Sequence, residues 1–146
     1  ARAFGAETCV PGPDGVPEAI REATGGGAHV SLDALGHPRT CADSIACLRR
    51  RGRHVQVGLL PLEAGPATPP MDRVIAYELS VLGSHGMPAH AYGPMLDLVA
   101  AGTLRPDRLI TATIGLPETP SALAAMGTSP PTGVTIIEPG AGTPPG

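Results

Sequence analysis

The spacing of apolar residues along this chain switches repeatedly between a helical and an extended period, and each switch marks an element. Val16, Ala19, Ile20 and Ala23 follow helical spacing, with Pro17 in a first turn and Gly25 as the stop. His29 to Leu35 alternates imperfectly and reads as a strand ending at Gly36. Pro38 opens a helix whose apolar face is Cys41, Ile45 and Leu48. The stretch Arg49 to Leu60 then organises the chain. Its arginines read as the last helical turn, where cations suit the negative end of the helix dipole, and Gly52 as a left-handed cap. His54 to Val57 is short, rich in β-branched residues and bounded by glycines, so it predicts a buried strand with Gly58 just past its end.

The flanking segments extend the pattern. Residues 1 to 6 read as a helix end closed by Gly5, Thr8 to Val10 as a brief strand, and Pro11 to Gly15 as a turn. Leu60 to Pro70 is a Pro- and Gly-rich loop, followed by a helical face at Met71, Val74 and Ile75 and a strand over Leu79 to Leu82. Tyr92, Met95, Leu96 and Val99 make an amphipathic helix closed by Gly102. Leu109 to Ile114 predicts a strand, Thr119 the cap of a short helix with Pro120 at its first position, and Val134 to Ile137 a last strand. Strands and helices in alternation with short connections predict an α/β fold with a parallel sheet.

Composition narrows this picture. With no Trp, one Phe and two Tyr, any core is aliphatic. A net charge of −3 gives no reason to expect nucleic acid or an anionic membrane as partner. Arg49, Arg50, Arg51 and Arg53 are therefore read as a solvated helix end rather than a basic patch. Cys9, Cys41 and Cys47 have no paired spacing, which suits reduced thiols and a cytoplasmic protein. No membrane-length apolar run or signal peptide pattern is present, and the chain starts at Ala1, mid-pattern.

Candidate chemistry is sparse. Gly25-Gly26-Gly27 follows a helix and precedes a strand, the reverse of a phosphate loop, and reads as a cap and turn. No Cys-x-x-Cys occurs, Cys41 and Cys47 fall on different helix faces, and His85 and His90 lack ligand spacing, so no metal site is predicted. Ser31 and Asp33 share one strand face beside His29, but without a Gly-x-Ser-x-Gly elbow they make no catalytic triad. What remains is positional. Asp33 to Gly36, Val57 to Leu59 and Gly83 to His85 each end a strand with a glycine at or next to the end. Side by side, they would form a crevice floor of backbone amides and carbonyls at the edge where open parallel sheets bind ligands.

Taken in order, Thr24 to Gly36, Leu48 to Gly58, and Pro70 to Leu79 continuing through Leu82-Gly-Ser-His-Gly86 resemble the zinc-type alcohol dehydrogenases of the medium-chain dehydrogenase/reductase superfamily. Thr111 to Ile114 and Gly133 to Ile137 fit that family's return into its other domain. The resemblance implies a partial Rossmann-like parallel sheet with flanking helices. Residues 1–103 would be the C-terminal part of the nucleotide-binding domain, 104–137 the return segment of the catalytic domain, and 138–146 a disordered tail.

It further implies that Val57, Gly58, Leu59, Ser84 and His85 lie near the nicotinamide end of NAD(P), mostly through backbone atoms, with Leu35 and Gly36 flanking it. Leu79 to Leu82 would be an edge strand for homo-oligomers. The parent reaction would be hydride transfer between an alcohol or aldehyde and NAD(P), with zinc polarising the oxygen.

The family's Gly-rich phosphate loop, acidic ribose-binding residue and zinc ligands lie upstream of what Ala1 matches. This chain therefore carries no predicted catalytic or metal residue and is expected to be inactive alone. Val134-Thr135 stands where many members carry a pyrophosphate-binding Arg. The two absent strands would lie between Thr8–Val10 and Val30–Ala34, so Thr8–Val10 either pairs with the next strand or stays outside the sheet. Two other readings remain: a non-catalytic fragment associating through its edge strand, and a zinc-independent quinone reductase, which the Arg51 to Gly58 stretch fits less well.

Overall fold

The computed structural model describes all residues except 13, 62–67, 130–131 and 141–146. The tail predicted over 138–146 thus falls mostly outside the described residues, as does most of the loop between Leu60 and Pro70. Two compact units are present, Ala1–Gly86 and Met87–Gly146.

In the first unit a three-stranded parallel sheet has the order β1 (Ala28–Asp33), β2 (Leu48–Gln56), β3 (Ser80–Gly83). Helix α1 (Val16–Ala23) precedes β1, α2 (Pro38–Ala46) links β1 to β2, and α3 (Met71–Ala76) precedes β3. Gly25, Gly26 and Gly27 all take positive φ between α1 and β1, the turn that their sequence context predicts. At Gly27 a Cβ would sit 2.6 Å from the Arg49 backbone nitrogen, so β1 can approach the start of β2 only with glycine there.

Two boundaries differ from expectation. Thr8 to Val10 forms no strand; Pro11, with no N–H to offer a ladder, follows it directly. Helix α2 stops at Ala46, and the arginines belong to β2. Leu48 is spaced to continue the apolar face of α2, yet it is fully buried as the first residue of the strand. Helical and extended readings place the same atom in the core, so periodicity could not separate them. The left-handed residue is Arg51 (φ 59), not Gly52. Arg51 donates its backbone N–H to the Tyr77 carbonyl at 2.8 Å and pairs its guanidinium with Glu78 at 2.8 Å, while Glu78 is itself left-handed (φ 52). Gly52 is required for packing, because a Cβ would meet the Arg49 carbonyl oxygen at 2.9 Å.

The core of this unit is small and mixed. Cys41, Ile45, Cys47 and Leu48 are its buried apolar residues; Ser31, Asp33 and His54 are buried with them. The β1–β2 register pairs Ser31 with His54 and Asp33 with Gln56, so polar side chains line the face that α2 covers. Val30 and Leu32 are exposed.

The second unit contains α4 (Tyr92–Ala100) and a parallel pair, β4 (Ile110–Gly115) and β5 (Val134–Glu138), joined through α5 (Thr119–Met126). Gly102 closes α4 with φ 72, as its position predicts. Thr119 lies inside its helix rather than capping it. The capping box belongs to the 3-10 turn before it, Leu116–Glu118, where the Glu118 carboxylate accepts the Gly115 N–H at 2.8 Å. A cleft of about 490 Å³ opens between α5 and the two strands, lined mainly by Ile114, Leu123, Met126, Val134 and Ile137. Among the described residues no helix is long and apolar enough to cross a membrane.

Candidate functional site

The carboxyl ends of β1, β2 and β3 are level, because Asp33 pairs with Gln56 and Gln56 with Gly83. The three loops that follow carry the predicted residues Leu35, Gly36, Val57, Gly58, Leu59, Ser84 and His85. Two of those loops are in backbone contact. A Cβ on Gly36 (φ 78) would overlap the Leu59 carbonyl, and one on Gly58 would lie 2.7 Å from the Gly36 Cα. These glycines exist so that one loop can pass against the other.

The backbone donors of this edge point inward. The Leu35 and Gly36 N–H groups donate to Asp33 Oδ1 at 3.0 and 3.2 Å. Those of Val57 and Gly58 both reach the Asp33 carbonyl, at 2.9 and 2.8 Å, and that of Ser84 reaches the Gln56 carbonyl at 2.9 Å. An open floor of amides is therefore not what the strand ends present. The loops close on themselves and turn apolar side chains outward, with Leu35 and Leu59 each 74% exposed and Val57 44%. Ser84 and His85 are exposed on the third loop.

Beneath that ledge lies a buried polar network that sequence reasoning missed. Asp33 also accepts from the Thr40 hydroxyl at 3.1 Å and from Gln56 Nε2 at 2.8 Å. Burial by itself would raise the Asp33 pKa; the hydrogen bonds from Gln56, Gly36, Leu35 and Thr40 outweigh it and hold the carboxyl below its ordinary 3.8. Gln56 Nε2 donates a second time, to the Gly58 carbonyl at 2.8 Å. Its oxygen is left to accept from His54 Nε2 at 3.1 Å, and the Ser31 and Ser44 hydroxyls lie at Nδ1, each at 3.2 Å. The sequence signal was polar residues two apart, Ser31 with Asp33 and His54 with Gln56, on strands otherwise suited to burial. His29, set beside Ser31 and Asp33 in the sequence, instead pairs with Arg49 at 2.7 Å.

The residues present do not fit a zinc ion. Among the described residues no group of three or more His, Cys, Asp or Glu is placed to hold a metal. Burial pushes the Cys41 and Cys47 thiols up, away from the thiolate that zinc requires. All three cysteines are free.

A parallel α/β sheet whose loops meet at the carboxyl ends of its strands is the arrangement of the doubly wound class, which takes ligands at that edge. The comparisons agree with it. A family model described as zinc-binding dehydrogenase matches residues 1–101, and the chain belongs to that family. It is similar to a probable alcohol dehydrogenase of Mycobacterium tuberculosis, 37% identical over 101 residues that make up 68% of this chain and 28% of that one. The fold matches that of an alcohol dehydrogenase from the hyperthermophilic archaeon Aeropyrum pernix, with TM-score 0.78, 25% identity, and coverage of 94% of this chain and 38% of the other. An NAD-dependent alcohol dehydrogenase matches with TM-score 0.80 at 24% identity, over 95% of this chain and 40% of that one. The chain thus spans little more than a quarter of the length of the curated relatives it matches.

Proposed function

We propose that the ledge formed by Leu35, Val57 and Leu59, with Gly36, Gly58, Ser84 and His85 around it, receives the nicotinamide end of NAD(P). The observation that carries this reading is the level alignment of three strand ends beneath exposed apolar side chains. A flat, largely apolar ring can lie on such a surface, while Ser84 and His85 offer polar groups at its margin. In this reading contact runs through side chains, because the neighbouring amides already donate within the loops. Residues 1–103 then serve as the C-terminal part of a nucleotide-binding domain and 104–137 as a return segment of a catalytic domain. The whole protein would transfer hydride between an alcohol or aldehyde and NAD(P), in a reducing compartment such as the cytoplasm. Zinc ligands and the phosphate-binding loop would come from outside these residues.

The test is a titration of the 146-residue chain with NADH, following nicotinamide fluorescence and thermal melting together. Saturable binding with a raised melting temperature is expected, since a ligand that binds only the folded state stabilises it by mass action. A linear fluorescence response with an unmoved melt would refute the ledge as a cofactor surface.

A second reading has its own observation. β3 lies at one edge of its sheet, and Val81 and Leu82 are each 45% exposed on it. An apolar edge of this kind suits pairing with a second copy of the chain.

A further inference from the structure

The ledge has no rigid element of its own; its three apolar side chains stand on loops. What holds those loops is the side-chain set below. We infer that Gln56, held by Asp33 and backed by His54, is the positioning residue that sets the ledge for its ligand, an inference that rests on the cofactor reading above.

Gln56 occupies a branch point. One hydrogen of its carboxamide goes to Asp33 Oδ2, and the other to the Gly58 carbonyl, both at 2.8 Å. Asp33 in turn holds the Leu35 and Gly36 amides through its other oxygen. The carboxamide therefore ties the loop after β1 to the loop after β2, on either side of the Gly36–Gly58 contact. A carboxamide can flip, and in the flipped state two oxygens would face each other at Asp33. The two groups it donates to prevent this, because Asp33 Oδ2 and the Gly58 carbonyl can only accept. His54, fully buried with the Ser31 and Ser44 hydroxyls at Nδ1, then meets Gln56 Oε1 through Nε2. A buried polar network with every group satisfied specifies one arrangement, because each alternative leaves a donor or acceptor unpaired in a low-dielectric site. Leu35, Val57 and Leu59 are held in place by this arrangement and touch the ligand; Gln56 and His54 act through them.

The experiment uses the 146-residue chain as wild type, Gln56→Leu and the milder Ser44→Ala, which removes one of the two hydroxyls on His54. Amide hydrogen exchange by nuclear magnetic resonance and NADH affinity are read on each. Gln56→Leu is expected to speed exchange at Leu35, Gly36 and Gly58 about tenfold or more, to leave Val55 and Leu82 in the sheet unchanged, and to weaken NADH about tenfold. Ser44→Ala should move the same amides in the same direction by less. The 15N shifts of His54 should show the proton on Nε2 in wild type. Unchanged exchange at Leu35 and Gly36, or equal acceleration throughout the sheet, would overturn the inference, the second outcome marking Gln56 as merely stabilising. If wild type binds NADH and the variants bind equally well, the inference fails while the cofactor reading stands. If wild type ignores NADH, the cofactor reading fails and this inference, as a statement about a ligand ledge, fails with it. Selective acceleration at the three loop amides would then show only that the network holds the loops. Should Gln56→Leu not fold, Ser44→Ala alone decides, by moving the loop amides selectively or leaving them as they were.

Discussion

Asp33 brings a carboxylate into a site where it is 4% exposed, and four donors keep it charged there: the Leu35 and Gly36 amides, the Thr40 hydroxyl and the Gln56 carboxamide. Its folded pKa lies below 3.8, so its contribution to stability is complete above that unfolded value and is lost as pH falls through the folded value. Replacing Asp33 with Asn should cost about 2–3 kcal/mol at neutral pH, and that gap should shrink as pH falls below 3.8 and through the lower folded value, where the wild-type carboxyl protonates. Chemical denaturation of both proteins across that range checks it; a gap that stays constant would mean the carboxylate's hydrogen bonds are not what the substitution removes. That Ser31 and Asp33 share a face was legible in the chain, because strands alternate. That His54 and Gln56 would be their partners was not, since the β1–β2 register depends on an irregularity between Ala28 and Val30, where Leu48 and Arg53 become the successive partners on β2.

Helix α2 shows how an element can be read correctly at one end and wrongly at the other. Its start was plain: His37 accepts the Arg39 N–H on its ring nitrogen, and Pro38 sits where no N–H is needed. Its end was hidden because Cys41, Ile45 and Leu48 share one helical stripe in sequence while Leu48 belongs to β2 in space. The chain leaves the helix at Cys47, whose thiol donates to the Ser44 carbonyl at 3.1 Å, and Leu48 then enters the core beside Ile45 as a strand residue. Ile45 has no exposed surface and stands in a core with few other apolar members. Ile45→Ala should therefore destabilise the first unit by about 2–5 kcal/mol, measured by urea denaturation. A loss below about 1 kcal/mol would mean that α2 does not close the face of the sheet as described.

At the scale of the whole molecule, much apolar surface stays uncovered. In the first unit Val30, Leu32 and Ile75 are 53%, 64% and 75% exposed; in the second, Leu123 and Met126 are 61% and 53% exposed, and no large apolar side chain among its described residues is buried. Parallel sheets ordinarily bury both faces, so surface of this extent invites further chain or further copies to cover it. If the edge at β3 is the route, Leu82→Lys should shift the chain toward monomer in sedimentation equilibrium, since a charge on an edge strand opposes pairing. An unchanged mass distribution would exclude that edge.

Alternating periods, glycine stops and proline starts determined by themselves that the chain folds as α/β, where most of its strands and helices lie, and which ends of the strands come together. They did so because those signals are local: each depends on neighbours a few residues away. Only the tertiary structure decided that the arginines after Leu48 run along a strand, that Gly36 and Gly58 let their two loops meet, that the strand-end amides turn inward, and that Asp33, Gln56 and His54 form one network. Each of these depends on which residues face each other across β1 and β2. That pairing follows from strand register and loop contact, which no spacing along a single strand encodes.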